Sequence, residues 1–300
     1  FPKHCVVIDS IEKYEAAAAA IDKRPPGRDW FVVAGAAGGK GTKEKPFKDP
    51  WQALEVAELG DTIHVAEGEY FGKLKTGYWT IDTRYIAMLG GYDKDFKERD
   101  PWKHPTRLGF ASDSKAWSEG SYIRPEGDHT GFILDGFVLD GKDVNKYSSD
   151  GDLLADRSTR HPLIDLWSPG CTVRNCILLN GSLGSIDMRG DHGVIENNII
   201  LNFHWQSISI TPSRNEQPWV IRNNTLLFHW YDRADGTGNS PQGTGLYTRG
   251  EVIFEADANI IGFSDVQAIF TSSPPSKMKI TNNLYQKSLF ANVHNMKEIA

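Results

Sequence analysis

The sequence has 300 residues, of which 39% are hydrophobic and 24% charged, and its formal net charge is −6. A negative chain is a poor match for a phosphate backbone or an anionic membrane surface, so we expect neither nucleic acid nor membrane as a partner. No apolar run approaches the ~20 residues that a membrane helix needs. Three cysteines, at positions 5, 171 and 176, are an odd number, which argues against a disulfide framework.

Residues 1–28 are predicted to form a helical appendage ahead of the main domain. Asp9 or Ser10 can cap a helix that runs to about Asp22, and the Pro-Pro-Gly that follows shortly after ends it. The chain starts at Phe1 with neither Met nor a signal peptide, so we expect a mature secreted product or a trimmed chain.

A second helix is predicted in the segment that follows Asp49. Asp49 suits the N-cap, Pro50 the first helical position, and Gly60 the position after the end. Its apolar face comprises Ala53, Leu54, Val56 and Ala57. Short strands are predicted at 30–33 and 61–65, with a turn at 67–70. An amphipathic helix that leads into a strand is suited to closing the N-terminal end of a solenoid.

From about residue 120, a strand–turn–strand pattern repeats around paired asparagines. The second asparagine of each pair forms a column, Asn198, Asn224, Asn259 and Asn283. Cys176 and Gly136 are assigned to its place in earlier copies. The spacings from 176 are 22, 26, 35 and 24 residues, a near-constant period with insertions.

Such a column is suited to stacked parallel coils. A turn asparagine has both a donor and an acceptor, so it can bond to its equivalent in the next coil, about 4.8 Å away, and it tolerates left-handed geometry. The alternative is that these pairs are ordinary turns of a β-sandwich. The pattern favours an all-β right-handed parallel β-helix over residues 29–292, with an N-terminal capping helix and a C-terminal tail at 293–300.

The last strand of each coil is predicted to present one outward face. Period-two alternation points Ile164, Leu166, Ile186 and Met188 inward. The outward columns are then Asp165, Asp187, Ser209, Tyr247 and Phe270, beside Trp167, Arg189, Thr211, Arg249 and Ser272. The alternative is that these charged side chains only keep the outer surface solvated and form no site.

The loops that lead to this face are rich in aromatic side chains and histidine. They include 203–205 (Phe-His-Trp) and 228–231 (Phe-His-Trp-Tyr), and an insertion at 232–243 is predicted at the same rim. Exposed rings beside charges are typical of sugar-binding clefts, although such rings can also pack between loops. The candidate substrate-binding residues are Trp167, Trp205, Trp230, Tyr231 and Lys142.

The chain resembles secreted bacterial right-handed β-helix proteins of the polysaccharide lyase type, such as alginate lyases and chondroitinase B. The resemblance rests on residues 45–70 (Lys-Pro-Phe, Trp-Gln-Ala-Leu and Gly-Asp-Thr-Ile-His-Val-Ala-Glu-Gly-Glu-Tyr), on residues 90–106, and on the Asn coils. It covers about residues 30–292 and implies a secreted or periplasmic location and a polysaccharide partner. Motifs of the polygalacturonases and mannuronan epimerases are absent, and the same superfamily includes non-catalytic adhesins, so the fold does not fix the activity.

The first functional hypothesis is a lyase that cleaves a uronic-acid polymer such as alginate by β-elimination. This reaction requires a cation that neutralises the uronate carboxylate, a base for the C5 proton, and an acid for the leaving oxygen. Arg189 or Arg249 could bind the carboxylate. Tyr247, acidified by a nearby arginine, His204 or His229 could transfer the protons.

Two further hypotheses concern the stacked carboxylates Asp165 and Asp187. They could hold Ca²⁺, which would then neutralise the uronate in a lyase. Alternatively, they could be the catalytic pair of a glycoside hydrolase, because adjacent coils place them at about the separation of retaining enzymes. A third class is a non-catalytic glycan-binding protein. No cofactor other than Ca²⁺ is expected, and the oligomeric state is left open.

Overall fold

The computed structural model describes residues 24–73, 78–109, 121–141, 161–181, 183–211, 217–230 and 242–288, and the backbone of a strand at 291–295. The predicted helix ending near Asp22 lies outside the described residues, as do Tyr231 and Lys142.

Three long sheets, each built only from parallel strands, form the body of the protein. The first sheet consists of β1 (Asp29–Val32), β2 (Thr62–Ala66), β5 (Ala87–Tyr92), β8 (Ile133–Asp135), β11 (Cys171–Arg174), β14 (Gly193–Glu196), β17 (Trp219–Arg222), β20 (Phe254–Asp257) and β23 (Met278–Thr281). The second sheet consists of β3 (Gly68–Tyr70), β6 (Thr106–Leu108), β9 (Phe137–Asp140), β12 (Ile177–Leu179), β15 (Ile199–His204), β18 (Thr225–Trp230), β21 (Ile260–Ser264) and β24 (Leu284–Gln286). The third sheet consists of β4 (Trp79–Ile81), β7 (Ile123–Pro125), β10 (Ile164–Leu166), β13 (Gly184–Met188), β16 (Gln206–Ile210), β19 (Thr244–Thr248), β22 (Gln267–Thr271) and β25 (Ala291–Asn295).

From β2 to β25 the chain visits the first, second and third sheets in strict rotation, which gives eight coils in the described part of the chain. The fold is a right-handed parallel β-helix, as predicted. Residues 67–70, predicted as a turn, are mostly strand β3, because the second sheet begins immediately after the first corner. The last strand, β25, crosses the boundary predicted at residue 292.

The N-terminal end of the solenoid is covered by the short helix α1 (Pro50–Leu54), which contacts β1, β2 and β4. Oδ1 of Asp49 accepts a hydrogen bond from the backbone N–H of Trp51 at 3.1 Å, so the predicted cap is present. The helix is shorter than predicted and ends before Gly60, which adopts the left-handed conformation at φ 83°. No helix among the described residues has the length and apolar character needed to span a membrane.

The asparagine column forms the predicted ladder inside the first corner of the coils. The backbone N–H and Nδ2 of Asn198 both donate to Oδ1 of Asn224 at 3.0 Å, and Asn224 repeats the same pair of bonds to Asn259. Nδ2 of Asn224 also donates to the Ile195 carbonyl at 2.9 Å. Each rung therefore satisfies polar groups that the core would otherwise leave unpaired.

The left-handed geometry belongs to the preceding asparagine, not to the ladder residue. Asn197 and Asn223 have φ of 54° and 55°, whereas Asn198 and Asn224 do not have positive φ. Gly136, at φ 83°, occupies this left-handed column, since β8 ends one residue before it in register with Arg174. Its assignment to the ladder column was therefore wrong by one residue, because glycine was matched to the ladder instead of to the backbone position that favours it.

Candidate functional site

The outward face of the third sheet has the predicted register. Asp165 pairs with Asp187, Asp187 with Ser209, Ser209 with Tyr247, and Tyr247 with Phe270. The inward residues of these strands are buried in the core. Carboxylate, hydroxyl and aromatic groups therefore follow one another along the helix axis on one surface.

Asp165, Trp167, Asp187 and Arg189 form a single cluster on this face, which we call the acidic cluster. Nε1 of Trp167 donates to Oδ1 of Asp165 at 2.6 Å, and Nη2 of Arg189 donates to Oδ2 of Asp187 at 2.8 Å. The same Nη2 lies 3.8 Å from Oδ1 of Asp165, and the guanidinium lies 5.3 Å from the centre of the Trp167 ring. The indole remains half exposed, so the cluster presents an aromatic ring to solvent.

Burial, aided by the charge of the adjacent Asp187, raises the pKa of Asp165 to about 6, against the opposing effects of Arg189 and of the Trp167 hydrogen bond. Oδ1 of Asp187 is buried and has no hydrogen-bond partner in the part of the chain that the structure describes. A carboxyl group with this pKa can carry a proton near neutral pH and release it during a reaction. The cluster therefore places a carboxyl group that can donate a proton beside a second carboxyl group.

The turn that carries Trp167 is held by His129, a residue that was not predicted from the sequence. Nε2 of His129 accepts hydrogen bonds from the backbone N–H groups of Trp167 and Ser168 at 2.9 and 3.1 Å. Its Nδ1 donates to the Gly127 carbonyl at 2.8 Å, which fixes the neutral tautomer, and burial lowers its pKa. His129 is thus a positioning residue for the indole of the acidic cluster.

Arg124 is a second residue that sequence reasoning missed. Ile123 pairs with Ile164, so Arg124 lies in the outward column one coil before Asp165. Its guanidinium lies 4.5 Å from the centre of the Tyr78 ring. The preceding coil shows no paired asparagine at its turn, so the repeat alone could not place this cation on the face.

Tyr247 lies on β19, two strands from Asp187 and therefore about 10 Å along the face, and Arg249 directly follows the end of this strand. Burial raises the pKa of Tyr247, and the charge of Arg249 opposes this shift without reversing it. The expectation that an arginine acidifies this tyrosine was wrong, because the phenol is half-buried and packs at 5.8 Å against Phe270. Tyr247 therefore remains protonated at neutral pH.

His229 was predicted in a loop that leads to the outward face, as a candidate for proton transfer, and the structure places it inside the solenoid. It is fully buried, its Nδ1 lies 2.6 Å from Oγ of Ser207, and its Nε2 lies 3.1 Å from the Leu226 carbonyl. Phe228 has φ 63°, and this left-handed residue shifts the alternation of β18 by one position. Burial lowers the pKa of His229 to about 4, so it is a neutral core residue without access to substrate.

The other predicted aromatic residues lie at the corner between the second and third sheets. His204 is buried and stacks on Trp230 with 4.6 Å between ring centres, and Trp205 meets it edge-on at 6.1 Å. Nε1 of Trp230 donates to Oδ1 of Asn202 at 3.0 Å. The structure thus separates His204, Trp205 and Trp230 from the acidic cluster, which lies on the strands of the third sheet.

The acidic cluster does not offer the ligands needed for the Ca²⁺ site that was predicted at Asp165 and Asp187. Calcium takes about six to eight oxygen ligands. Here the guanidinium of Arg189 already binds Asp187, and the indole N–H of Trp167 binds Asp165. Among the described residues, no three His, Cys, Asp or Glu side chains are grouped so as to hold a metal.

We therefore expect EDTA to leave the thermal unfolding midpoint of the protein unchanged. The measurement is a thermal melt with and without EDTA, followed by Ca²⁺ or Mg²⁺ in excess. A midpoint that falls in EDTA and recovers with Ca²⁺ alone would show that these carboxylates, or others in the chain, hold structural calcium.

No family model and no curated protein matches this chain. Among solved structures, it is similar to XylC in complex with xylose, with a TM-score of 0.52 and 13% sequence identity. The match covers 88% of this chain, and this chain spans 66% of that one. At this identity the similarity concerns the fold, and it agrees with the parallel β-helix described above.

Proposed function

We propose that this protein cleaves glycosidic bonds of a polysaccharide at the acidic cluster, with Asp165 as the proton donor to the leaving oxygen. The observation that carries the proposal is the Asp165 carboxyl group, whose pKa of about 6 lies above its usual range beside a second carboxyl group. An exposed indole next to this pair offers a stacking surface for a sugar ring. The XylC structure contains xylose, which supports a carbohydrate as the ligand class.

The position of Asp187, on the strand next to that of Asp165, favours hydrolysis over elimination. Neighbouring strands lie about 4.8 Å apart, and carboxyl groups about 5 Å apart are typical of retaining glycosidases. In this mechanism Asp165 gives its proton to the glycosidic oxygen while Asp187 attacks the anomeric carbon and forms a glycosyl ester. Water then attacks this ester, Asp165 takes the proton of the water, and the sugar leaves with a new reducing end.

A lyase remains the second candidate because of Arg249. Its side chain is exposed and forms no ion pair with any described residue, so it is available to bind a uronate carboxylate. Tyr247 beside it can supply a proton to a leaving oxygen. Its raised pKa makes it a poor base for the C5 proton, and for this reason elimination ranks second.

The test is incubation of the protein with xylan, alginate, pectate and chondroitin, followed by measurement of reducing ends and of ultraviolet absorbance from unsaturated sugars. Hydrolysis gives new reducing ends without this absorbance, and elimination gives both. A protein that binds these polymers without releasing either product would be the non-catalytic glycan-binding protein, and the proposal would then be wrong.

Arg249→Ala separates the two reactions by the size of its effect. Under hydrolysis at Asp165, we expect kcat/KM to fall less than about tenfold, because Arg249 touches only a distant part of the sugar chain. Under elimination, the loss of the cation that neutralises the uronate should cost roughly 10²-fold or more. Arg107→Ala, which removes an exposed arginine from the second sheet, is the matched control and should leave kcat/KM unchanged.

A further inference from the structure

The second sheet has its own left-handed column, and its occupant changes along the solenoid. In the earlier coils the column is formed by Asn180 and Asn202, and Nδ2 of Asn202 donates to Oδ1 of Asn180 at 2.7 Å. In the later coils it is formed by Phe228, Phe263 and Lys287, at φ of 63°, 53° and 51°. All five residues occupy equivalent positions of their coils. The residues that directly precede them pair with one another in register on neighbouring strands of the second sheet.

Fold stability does not account for phenylalanine at these two positions. A bulky residue at positive φ is strained by about 1–3 kcal/mol, whereas asparagine tolerates this geometry. Burial does not offset the strain, because Phe228 is 48% exposed and Phe263 is 38% exposed. Their rings stack on each other with 4.9 Å between centres and 18° between planes, and the ammonium of Lys287 lies 5.8 Å from the Phe263 ring centre.

A cavity of about 720 Å³ lies beside this aromatic column. The two phenylalanines, Lys287 and Trp230 contribute to its wall. The indole of Trp230 is held in place by its stacking on His204 and by its hydrogen bond to Asn202, so it presents a fixed surface. The volume lies within the roughly 300–1,000 Å³ that small-molecule sites occupy.

One hydroxyl group in the cavity wall lacks a partner. Oγ of Ser288 is buried and has no hydrogen-bond partner among the described residues. Ser264 also borders the cavity, but it pairs in register with the inward-facing His229 and is only 2% exposed, so its side chain faces the core. A buried hydroxyl without a partner costs free energy that a bound polar group would recover. Lys287 is exposed and forms no ion pair with residues that the structure describes. The wall therefore combines apolar rings with two donors, the hydroxyl group of Ser288 and the ammonium of Lys287, and Asp265 also lines it.

We propose that this cavity is a second glycan-binding subsite, in which one pyranose ring packs against Trp230 and the edges of Phe228 and Phe263. The hydroxyl group of Ser288 and the ammonium of Lys287 bind oxygen atoms of the sugar. A sugar ring has an apolar face and a polar rim, and this wall offers partners for both. The subsite lies on the second sheet, whereas the acidic cluster lies on the third. It would therefore bind a part of the polymer that is not in the acidic cluster. The proposal rests on the proposed function only for the class of ligand.

The test variant is F228N/F263N, which restores the residue used by the earlier coils at both positions. Because asparagine relieves the backbone strain, this variant should fold with an unfolding midpoint equal to or above that of the parent. Binding of xylohexaose and of an oligogalacturonate of the same length is measured by calorimetry in an Asp165→Asn background, in which cleavage does not interfere. We expect roughly tenfold weaker binding of the better ligand by the variant.

Trp102→Ala, which removes an exposed indole outside the cavity, is the control and should bind as the parent does. Lys287→Gln distinguishes the ligands, since it should weaken the acidic oligomer more than the neutral one. Equal affinities of the parent and F228N/F263N would overturn the proposal, as would a parent that binds neither oligomer. A parent that dimerises through the cavity, with a dimer lost in F228N/F263N, would assign the surface to a second copy. Weaker binding by the variant together with an absence of cleavage by the native protein would sustain the subsite and contradict only the proposed function.

Discussion

Asp165→Asn is expected to lower kcat/KM for glycan cleavage by roughly 10²–10⁴-fold, because the amide cannot donate a proton to the leaving oxygen. The substitution preserves the shape of the side chain and its hydrogen bond from Trp167. The measurement is the rate of reducing-end release on whichever polymer the native protein cleaves. Asp257→Asn, on the first sheet, makes the same chemical change away from the acidic cluster and should keep the native rate.

The pH profile gives the same prediction a second readout. Asp165 is a proton donor only below its pKa of about 6, so native kcat/KM should fall as the pH rises through this value. The residual activity of Asp165→Asn should lack this limb. A variant that retains both the native rate and the native profile would remove Asp165 from the mechanism.

Asn224→Ala is expected to cost about 3 kcal/mol or more of unfolding free energy, since several buried groups lose partners at once. The backbone N–H and Nδ2 of Asn198 lose their common acceptor, and the Ile195 carbonyl loses its donor. Alanine also leaves a space in a closely packed corner. Urea denaturation followed by circular dichroism measures the change.

The neighbouring residue provides a matched comparison for the ladder. Asn223 has φ 55° and its side chain is exposed, so Asn223→Gly should change the unfolding free energy by only a few tenths of a kcal/mol. Asn223→Ala should cost about 1–2 kcal/mol, because alanine is strained in the left-handed region. If Asn224→Ala were no more harmful than Asn223→Ala, the ladder would contribute little to stability.

The fold and the register of the third sheet could be predicted because the sequence repeats. Each paired asparagine marks the same corner, so aligning the pairs aligns the strands that follow, and Asp165, Asp187 and Tyr247 fall into one column. The one-residue error at Gly136 arose where an early coil lacks the asparagine pair. There, only the backbone requirement for positive φ identifies the correct position.

The rest of the site could not be predicted from the alternation of inward and outward residues along the strands. His229 points inward because the backbone of Phe228 is in the left-handed conformation. Phenylalanine rarely adopts this conformation, so the residue type does not predict it. His129 acts on Trp167 across 38 residues of chain, a contact that only the stacking of coils creates. The pKa of Tyr247 depends on how deeply the phenol is buried, which residue spacing does not give. The left-handed column of the second sheet could have been found by aligning Phe228 and Phe263 with Asn202.

The most direct test of glycan cleavage at the acidic cluster is a crystal structure of the Asp165→Asn variant with a bound oligosaccharide of the polymer that the native protein cleaves. We expect the scissile glycosidic oxygen to lie within about 2.6–3.2 Å of the side chain at position 165, with the anomeric carbon facing Asp187 and a sugar ring on Trp167. An oligosaccharide bound only on another face, with the acidic cluster empty, would contradict cleavage at this cluster.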